Sequence, residues 1–164
     1  MTSAAHPNPG MHRMTIVGLA MLGVPRVVAH DLGIAGPGVN AVLVFAPPAI
    51  WLAVLLAKRT PRPFRTALRI GLAYGIFVAV GHQVMWDAAF GPNAPVMGGS
   101  LADVMPTWVE SVIMRGFAVI SSVATGAVVG AIVGVLAWLP TQVCRRIHAR
   151  EKGDDNLRAH HGPS

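Results

Sequence analysis

Charged residues are scarce in this chain. Asp, Glu, Lys and Arg make up 12% of the 164 residues, whereas hydrophobic residues make up 53%. A soluble domain carries about 25% charged residues, so charges this sparse cannot cover a globule in water. Cysteine is scarcer still, since Cys144 is the sole one. A single cysteine excludes an intramolecular disulfide and a cysteine cage for zinc. The composition therefore predicts a membrane protein.

Catalytic and cofactor motifs are also missing. The sequence has no G-x-S-x-G, no P-loop and no dinucleotide fingerprint, and Gly36-Pro37-Gly38 is typical of a turn. The net charge of +6 does not indicate nucleic acid, because the basic residues flank apolar runs and form no stripe with aromatics. We therefore expect a protein without its own enzymatic chemistry, without a cofactor and without a nucleic-acid partner.

The apolar residues form long blocks. About 20 residues of helix cross the hydrocarbon core of a bilayer. The blocks predict spans at about 14–29, 39–57, 70–86 and 116–139, of which the first and third are short. The fold class expected is all-α, a polytopic bundle of four transmembrane helices within residues 13–144. Residues 88–107, rich in Gly and Pro, predict an outer loop.

Basic residues lie mostly on one side of these spans. Eleven of them precede span one, connect spans two and three, or follow span four, and only Arg26 and Arg115 fall on the other side. Positive loops stay in the cytoplasm. Both termini are therefore predicted on the cytoplasmic side of a bacterial plasma membrane. Residues 1–12 are expected to be disordered, and 145–164 to form a basic cytoplasmic tail that lacks fixed structure from residue 149.

The first span has an alternative interpretation. Arg13, the apolar run from Met14 to Val24 and the small residue Ala29 resemble a cleaved secretory signal. Cleavage would leave three spans with the C-terminus still inside. Arg26, close to the supposed cleavage site, argues against it.

Small residues recur every four positions in spans three and four, which is a pattern of closely packed membrane helices. The packing residues are Gly71, Gly75 and Ala79 in span three, and Ser122, Gly126, Gly130 and Gly134 in span four. The two ridges can face each other within one chain, or the span-four ridge can face its own copy in a homo-oligomer. In span two, Pro47 and Pro48 predict a kink or break near residues 43–48, because proline removes a helical donor.

Polar residues collect at the outer end of the predicted spans. The set is Arg26, His30, Asp31, Asn40, His82, Gln83, Asp87, Glu110 and Arg115. Since a guanidinium near lipid needs a partner, Arg26 and Arg115 are expected to pair with members of Asp31, Asp87 and Glu110. Three interpretations stay open: a structural clasp, an ion or proton site, and a metal site built on His30 and His82. The clasp is favoured, and no metal is expected.

Three runs of sequence carry a resemblance. Residues 37–41 (PGVNA), 81–90 (GHQVMWDAAF) and 115–122 (RGFAVISS) resemble those of small, functionally uncharacterised bacterial four-helix membrane proteins. The resemblance covers about residues 14–140. It implies the same membrane fold and no assigned activity.

Two functions are compatible with these features. The first is a non-enzymatic accessory protein or oligomeric component, partnered by lipid, by its own copies or by another membrane protein. The alternative is a small ion- or proton-coupled transporter of the antiport type that uses the outer cluster. Below His82, the polar groups that would line an inner path are only Ser121, Ser122, Thr125 and the backbone freed at Pro47 and Pro48, and this favours the first function for a monomer.

Overall fold

The computed structural model describes residues 10–101 and 104–160, and within these ranges it contains helices and turns without strands. The helices are α1 (Arg13–Ala20), α2 (Val24–Asp31), α3 (Pro37–Ala57), α4 (Pro63–Val84), α5 (Trp86–Phe90) and α6 (Thr107–His160). Single 3₁₀ turns lie at Met21–Gly23, Gly91–Asn93 and Gly99–Leu101. The predicted all-helical class is confirmed for this part of the chain.

Four helical segments are long and apolar enough to cross a membrane. They are Arg13–Asp31, Pro37–Ala57, Pro63–Val84 and Thr107–Pro140. Large apolar side chains such as Phe45, Phe117 and Ile120 are about 70% exposed on these helices. Side chains of this kind suit a lipid solvent, whereas in water they would form an unusually large apolar surface. The prediction of four candidate spans is confirmed.

Spans one and three are longer than the sequence predicts. Span one reaches Asp31, which gives it 19 residues, and α4 begins at Pro63 and has 22. Arg62 is the N-cap and Pro63 stands at the first helical position of α4, where proline needs no donor and its fixed φ suits the helix. The predicted bounds followed the apolar blocks, so they left out the polar ends of both helices.

The first span is interrupted by one 3₁₀ turn, Met21–Gly23. Pro25 has no N–H to donate to the carbonyl of Met21, and its ring crowds that carbonyl. The Val24 N–H donates to Met21 O instead, so the chain tightens for one turn and then continues as α2. Ala20 and Val27, from either side of this turn, belong to the buried core. Their burial favours span one as part of the bundle over a cleaved signal.

Of the kink or break predicted at Pro47 and Pro48, the break is wrong and the kink stays a prediction. Helix α3 runs through both prolines without interruption, and Pro47 is buried. The φ of proline, about −65°, is already helical, and the lost hydrogen bonds are confined to the preceding turn.

The prediction that the chain lacks fixed structure from residue 149 is also wrong as far as His160, where α6 ends. Ala, Arg, Glu and Lys of this segment are good helix formers, and a helix that already exists extends at little cost. Residues 161–164, and residues 1–9 at the other end, lie outside the described residues. Residues 10–12 precede α1, and the imidazole of His12 caps it by accepting from the Met14 N–H at 3.2 Å.

Helix α4 lies at the centre of the bundle, and its largest contact is with α6. Here the two small-residue ridges face each other. A Cβ added to Gly75 would lie 2.8 Å from Ser122 O, and one added to Gly130 would lie 2.7 Å from Ala67 O. Real Cβ atoms do not approach backbone this closely, so the seam needs glycine. The span-four ridge is therefore used within one chain.

The core beside this seam is aromatic. Trp51 of α3 is fully buried, and its indole N–H donates to the carbonyl of Leu19 in α1 at 2.9 Å. The indole ring meets Tyr74 of α4 edge to face, with centroids 5.3 Å apart. Gly23, in the 3₁₀ turn, leaves room for the ring of Tyr74. Trp51 thereby ties three helices together at the irregular turn of span one.

Candidate functional site

Asp31 lies at the last position of α2 and is the most buried carboxylate that the structure describes, with 4% of its side chain exposed. The helix ends there because Gly33, at φ 65°, adopts the left-handed conformation. The N–H of Ile34 then bonds to Ala29 O and that of Gly33 to His30 O, which is a Schellman motif. A carboxylate is unfavourable at a helix C-terminus, so Asp31 needs donors from elsewhere.

Two imidazoles supply those donors. His30 Nδ1 lies 3.1 Å from Asp31 Oδ1, and His82 Nδ1 lies 2.8 Å from Asp31 Oδ2. Because an ionised carboxylate only accepts, each Nδ1 carries a proton. His82 stands in the last turn of α4, where positive charge is also favourable. The triad of His30, Asp31 and His82 joins the C-terminal ends of α2 and α4.

A second cluster joins α4, α5 and α6. Arg115 Nη2 lies 3.3 Å from Asp87 Oδ1, and the guanidinium lies over the ring of Trp86, 4.8 Å from its centroid. Gln83 Nε2 donates to the backbone carbonyl of Arg115 at 3.3 Å. Trp86 also contacts Phe90. Since Asp87 is 94% exposed, the buried indole supports Arg115 at least as much as the carboxylate does.

Glu110 binds the loop between α5 and α6. Its carboxylate Oε1 accepts a hydrogen bond from the backbone N–H of Met97. The contact holds the segment before α6 against the first turn of that helix. Glu110 lies near the N-terminus of α6, where a negative charge is favourable. This carboxylate was predicted as a partner for arginine, and it instead bonds to the loop backbone.

The prediction that Arg26 pairs with a carboxylate is wrong for the carboxylates that the structure describes. Arg26 precedes Asp31 by five residues, which places the two about 140° apart around a helix. Both oxygens of Asp31 are also taken by the imidazoles. The buried Nε of Arg26 and the buried Oδ1 of Asn40 have no hydrogen-bond partner among the described residues.

The structure thus divides the predicted polar set into two groups and several single residues. His82 bonds to Asp31, 51 residues away in the chain. Asp87 lies in α5, beyond the end of α4, and pairs with Arg115. The ring of Trp86, which is not in the predicted polar set, contacts Arg115. Its position three residues after Gln83 was the available signal.

The metal interpretation gains no support from this geometry. In the described ranges, no group of three or more His, Cys, Asp and Glu side chains is arranged to hold a metal ion. The two Nδ1 atoms that point to Asp31 are occupied by hydrogen bonds.

Comparison with known proteins gives no relative. No family model, no curated protein and no solved structure matches this chain. The resemblance to small bacterial four-helix membrane proteins therefore stays a prediction, and the function has to be argued from the residues.

Proposed function

We propose that this chain is a non-enzymatic multi-pass membrane protein, acting as a small accessory or oligomeric component, with an outer polar clasp that is structural. The observation that carries the proposal is that the polar groups at this end of the bundle are bonded to one another. Asp31 is bonded on both oxygens, and Arg115 is held by Asp87 and by the indole of Trp86. Groups paired in this manner join helix ends and leave few free ligands for a solute.

The interior below the clasp supports the same conclusion. The hydroxyls of Ser121 and Ser122 both donate to Ala118 O within their own helix, at 3.1 and 2.7 Å. Trp51 and Ile70 are fully buried in the apolar core. A transported ion needs successive polar ligands across the membrane. The described side chains of the interior offer few of them.

The proposed location is a bacterial plasma membrane, with both ends of the chain in the cytoplasm. Its support is the uneven distribution of basic residues. The segment from Lys58 to Arg69, between α3 and the first turns of α4, carries five basic residues and no acid. The opposite ends of the spans carry Arg26 and Arg115, and Arg115 is paired with Asp87. Positive loops are retained on the cytoplasmic side.

Ion- or proton-coupled transport is the second candidate, and the triad favours it. A largely buried carboxylate hydrogen-bonded to two imidazoles is a side-chain group through which a proton could be passed. In this function, His82 would pass a proton between Asp31 and the outer solvent. The inner path would then have to come from several copies around a central pore.

Flux measurements separate the two functions. The full chain would be reconstituted in liposomes, and H⁺ and Na⁺ flux would be followed with entrapped indicators. We expect flux equal to that of empty liposomes, with an added ionophore as the positive control. Flux that depends on the protein and is lost in His82→Ala would refute the accessory function and establish transport.

A further inference from the structure

We propose that a cavity at the end of the bundle opposite the clasp binds the phosphate group of an anionic phospholipid. The cavity measures about 430 Å³ and lies between the segment before α1 and the beginning of α4. Met11 and Ile16 form its wall on one side. Thr60, Arg62, Arg65 and Arg69 form the other. Neither the sequence motifs nor the clasp assigns any role to these arginines beyond orientation.

The three arginines share one face. Arg65 and Arg69 are four residues apart and project from the same side of α4, and the N-cap residue Arg62 lines the same cavity. None of them forms an ion pair with a carboxylate that the structure describes. His82, which binds Asp31, lies about 20 Å further along α4 than Arg69. Positive charges gathered in one cavity without a described counter-ion favour an anion there.

Thr60 adds a hydroxyl to the wall that the arginines form. The residue is only 6% exposed and lines the cavity. Its position is fixed by the end of α3, where Arg59 adopts φ 45° and the Thr60 N–H bonds to Leu55 O at 3.2 Å. A threonine hydroxyl can donate one hydrogen bond. A phosphate oxygen in the cavity would accept it.

The depth of the cavity indicates a lipid as the source of the phosphate. The apolar run of α3 ends at Ala57, so the cavity lies where the hydrocarbon core gives way to headgroups. Phe64 and Leu72 are partly exposed on α4 next to the arginines and offer an apolar surface to an acyl chain. Guanidinium binds phosphate oxygens with two parallel hydrogen bonds, and basic pockets between helices at this level suit anionic headgroups.

Lipid titration of the full chain, purified in an uncharged detergent and followed by native mass spectrometry, tests the proposal. The lipids are phosphatidylglycerol and phosphatidylcholine, and inorganic phosphate is added as a soluble competitor. Arg65→Gln/Arg69→Gln removes two charges from the wall. Lys58→Gln/Arg59→Gln removes the same charge from neighbouring residues outside it. Thr60→Val removes the hydroxyl and leaves every charge in place.

We expect phosphatidylglycerol to bind more tightly than phosphatidylcholine. Arg65→Gln/Arg69→Gln should weaken it by about 10- to 30-fold. Thr60→Val should weaken it by roughly fivefold, as the loss of one hydrogen bond predicts. The Lys58→Gln/Arg59→Gln control should stay within about threefold of the parent, because it spares the cavity. Circular dichroism of each variant checks that its helix content is that of the parent.

Three results would overturn the proposal. Equal weakening by the two double substitutions would mean that general surface charge attracts the lipid. Equal binding of phosphatidylcholine would remove the preference for an anionic headgroup. Displacement of phosphatidylglycerol by an equal concentration of inorganic phosphate would assign the arginines to a soluble anion.

Discussion

The contact between α4 and α6 gives the sharpest quantitative prediction, through Gly126→Ala. A Cβ at Gly126 would lie 2.7 Å from Gly75 N and 2.8 Å from Gly75 Cα. Carbon atoms in contact are about 3.5–4.0 Å apart, so the two helices must separate by roughly 1 Å. Backbone atoms cannot rotate away as a side chain can. Overpacking of this kind costs about 1–3 kcal/mol.

A matched control on the same helix is Gly116→Ala. A Cβ at Gly116 meets nothing within 4 Å. Both substitutions gain the same helix propensity, about 0.5–1 kcal/mol, so this contribution cancels in the comparison. Gly126→Ala should therefore be less stable than Gly116→Ala by about 1–3 kcal/mol, which is the cost of overpacking alone.

The free energy of unfolding would be measured by titration with sodium dodecyl sulfate in mixed micelles, with circular dichroism as the signal. Gly75→Ala should behave like Gly126→Ala, because its Cβ would lie 2.8 Å from Ser122 O. The effect should not depend on protein concentration, since the contact lies within one chain. Equal stability of Gly126→Ala and Gly116→Ala would show that the two ridges do not touch.

Two further predictions concern the clasp and the orientation. Asp31→Asn should lower the free energy of unfolding by about 2–3 kcal/mol, because Asp31 is buried and has two imidazole partners. Asp87→Asn should lower it by at most about 1 kcal/mol, because Asp87 is exposed. The same detergent titration measures both, and a larger loss for Asp87→Asn would contradict the assignment of Asp31 as the centre of the clasp. A reporter fused after Ser164 should be active in the cytoplasm, and a tag at Gly99 should be labelled from outside; an external signal from the fusion would refute the orientation.

The helices and the glycine ridges were accessible from the sequence because their signals are local. A run of about 20 apolar residues is enough to identify a span, and small residues four apart mark a close contact wherever the partner lies. The two errors in the helices arose from local rules applied without their context. Helix α3 runs through Pro47 and Pro48, and α6 runs through Pro140 and continues to His160.

The candidate site was accessible only in part. Its residue types and its position at one end of the spans followed from the order of the polar residues. Its pairs did not, because the rotation of each helix about its own axis decides which side chains meet. Five residues separate Arg26 from Asp31 in α2, and the resulting angle of about 140° keeps the two side chains apart. The single 3₁₀ turn before Pro25 further changes the direction in which α2 presents Asp31.

The composition and the order of residues therefore settled the helical class, the four candidate spans and the small-residue faces, since each depends on neighbours within a few turns of chain. Tertiary packing decided that the ridges of α4 and α6 meet within one chain, and that Asp31 bonds to an imidazole 51 residues away. It also formed the arginine cavity, where the end of α3 turns Thr60 inward beside the first turns of α4. Contacts between distant segments depend on helix rotation and close approach, which no local pattern of residues specifies.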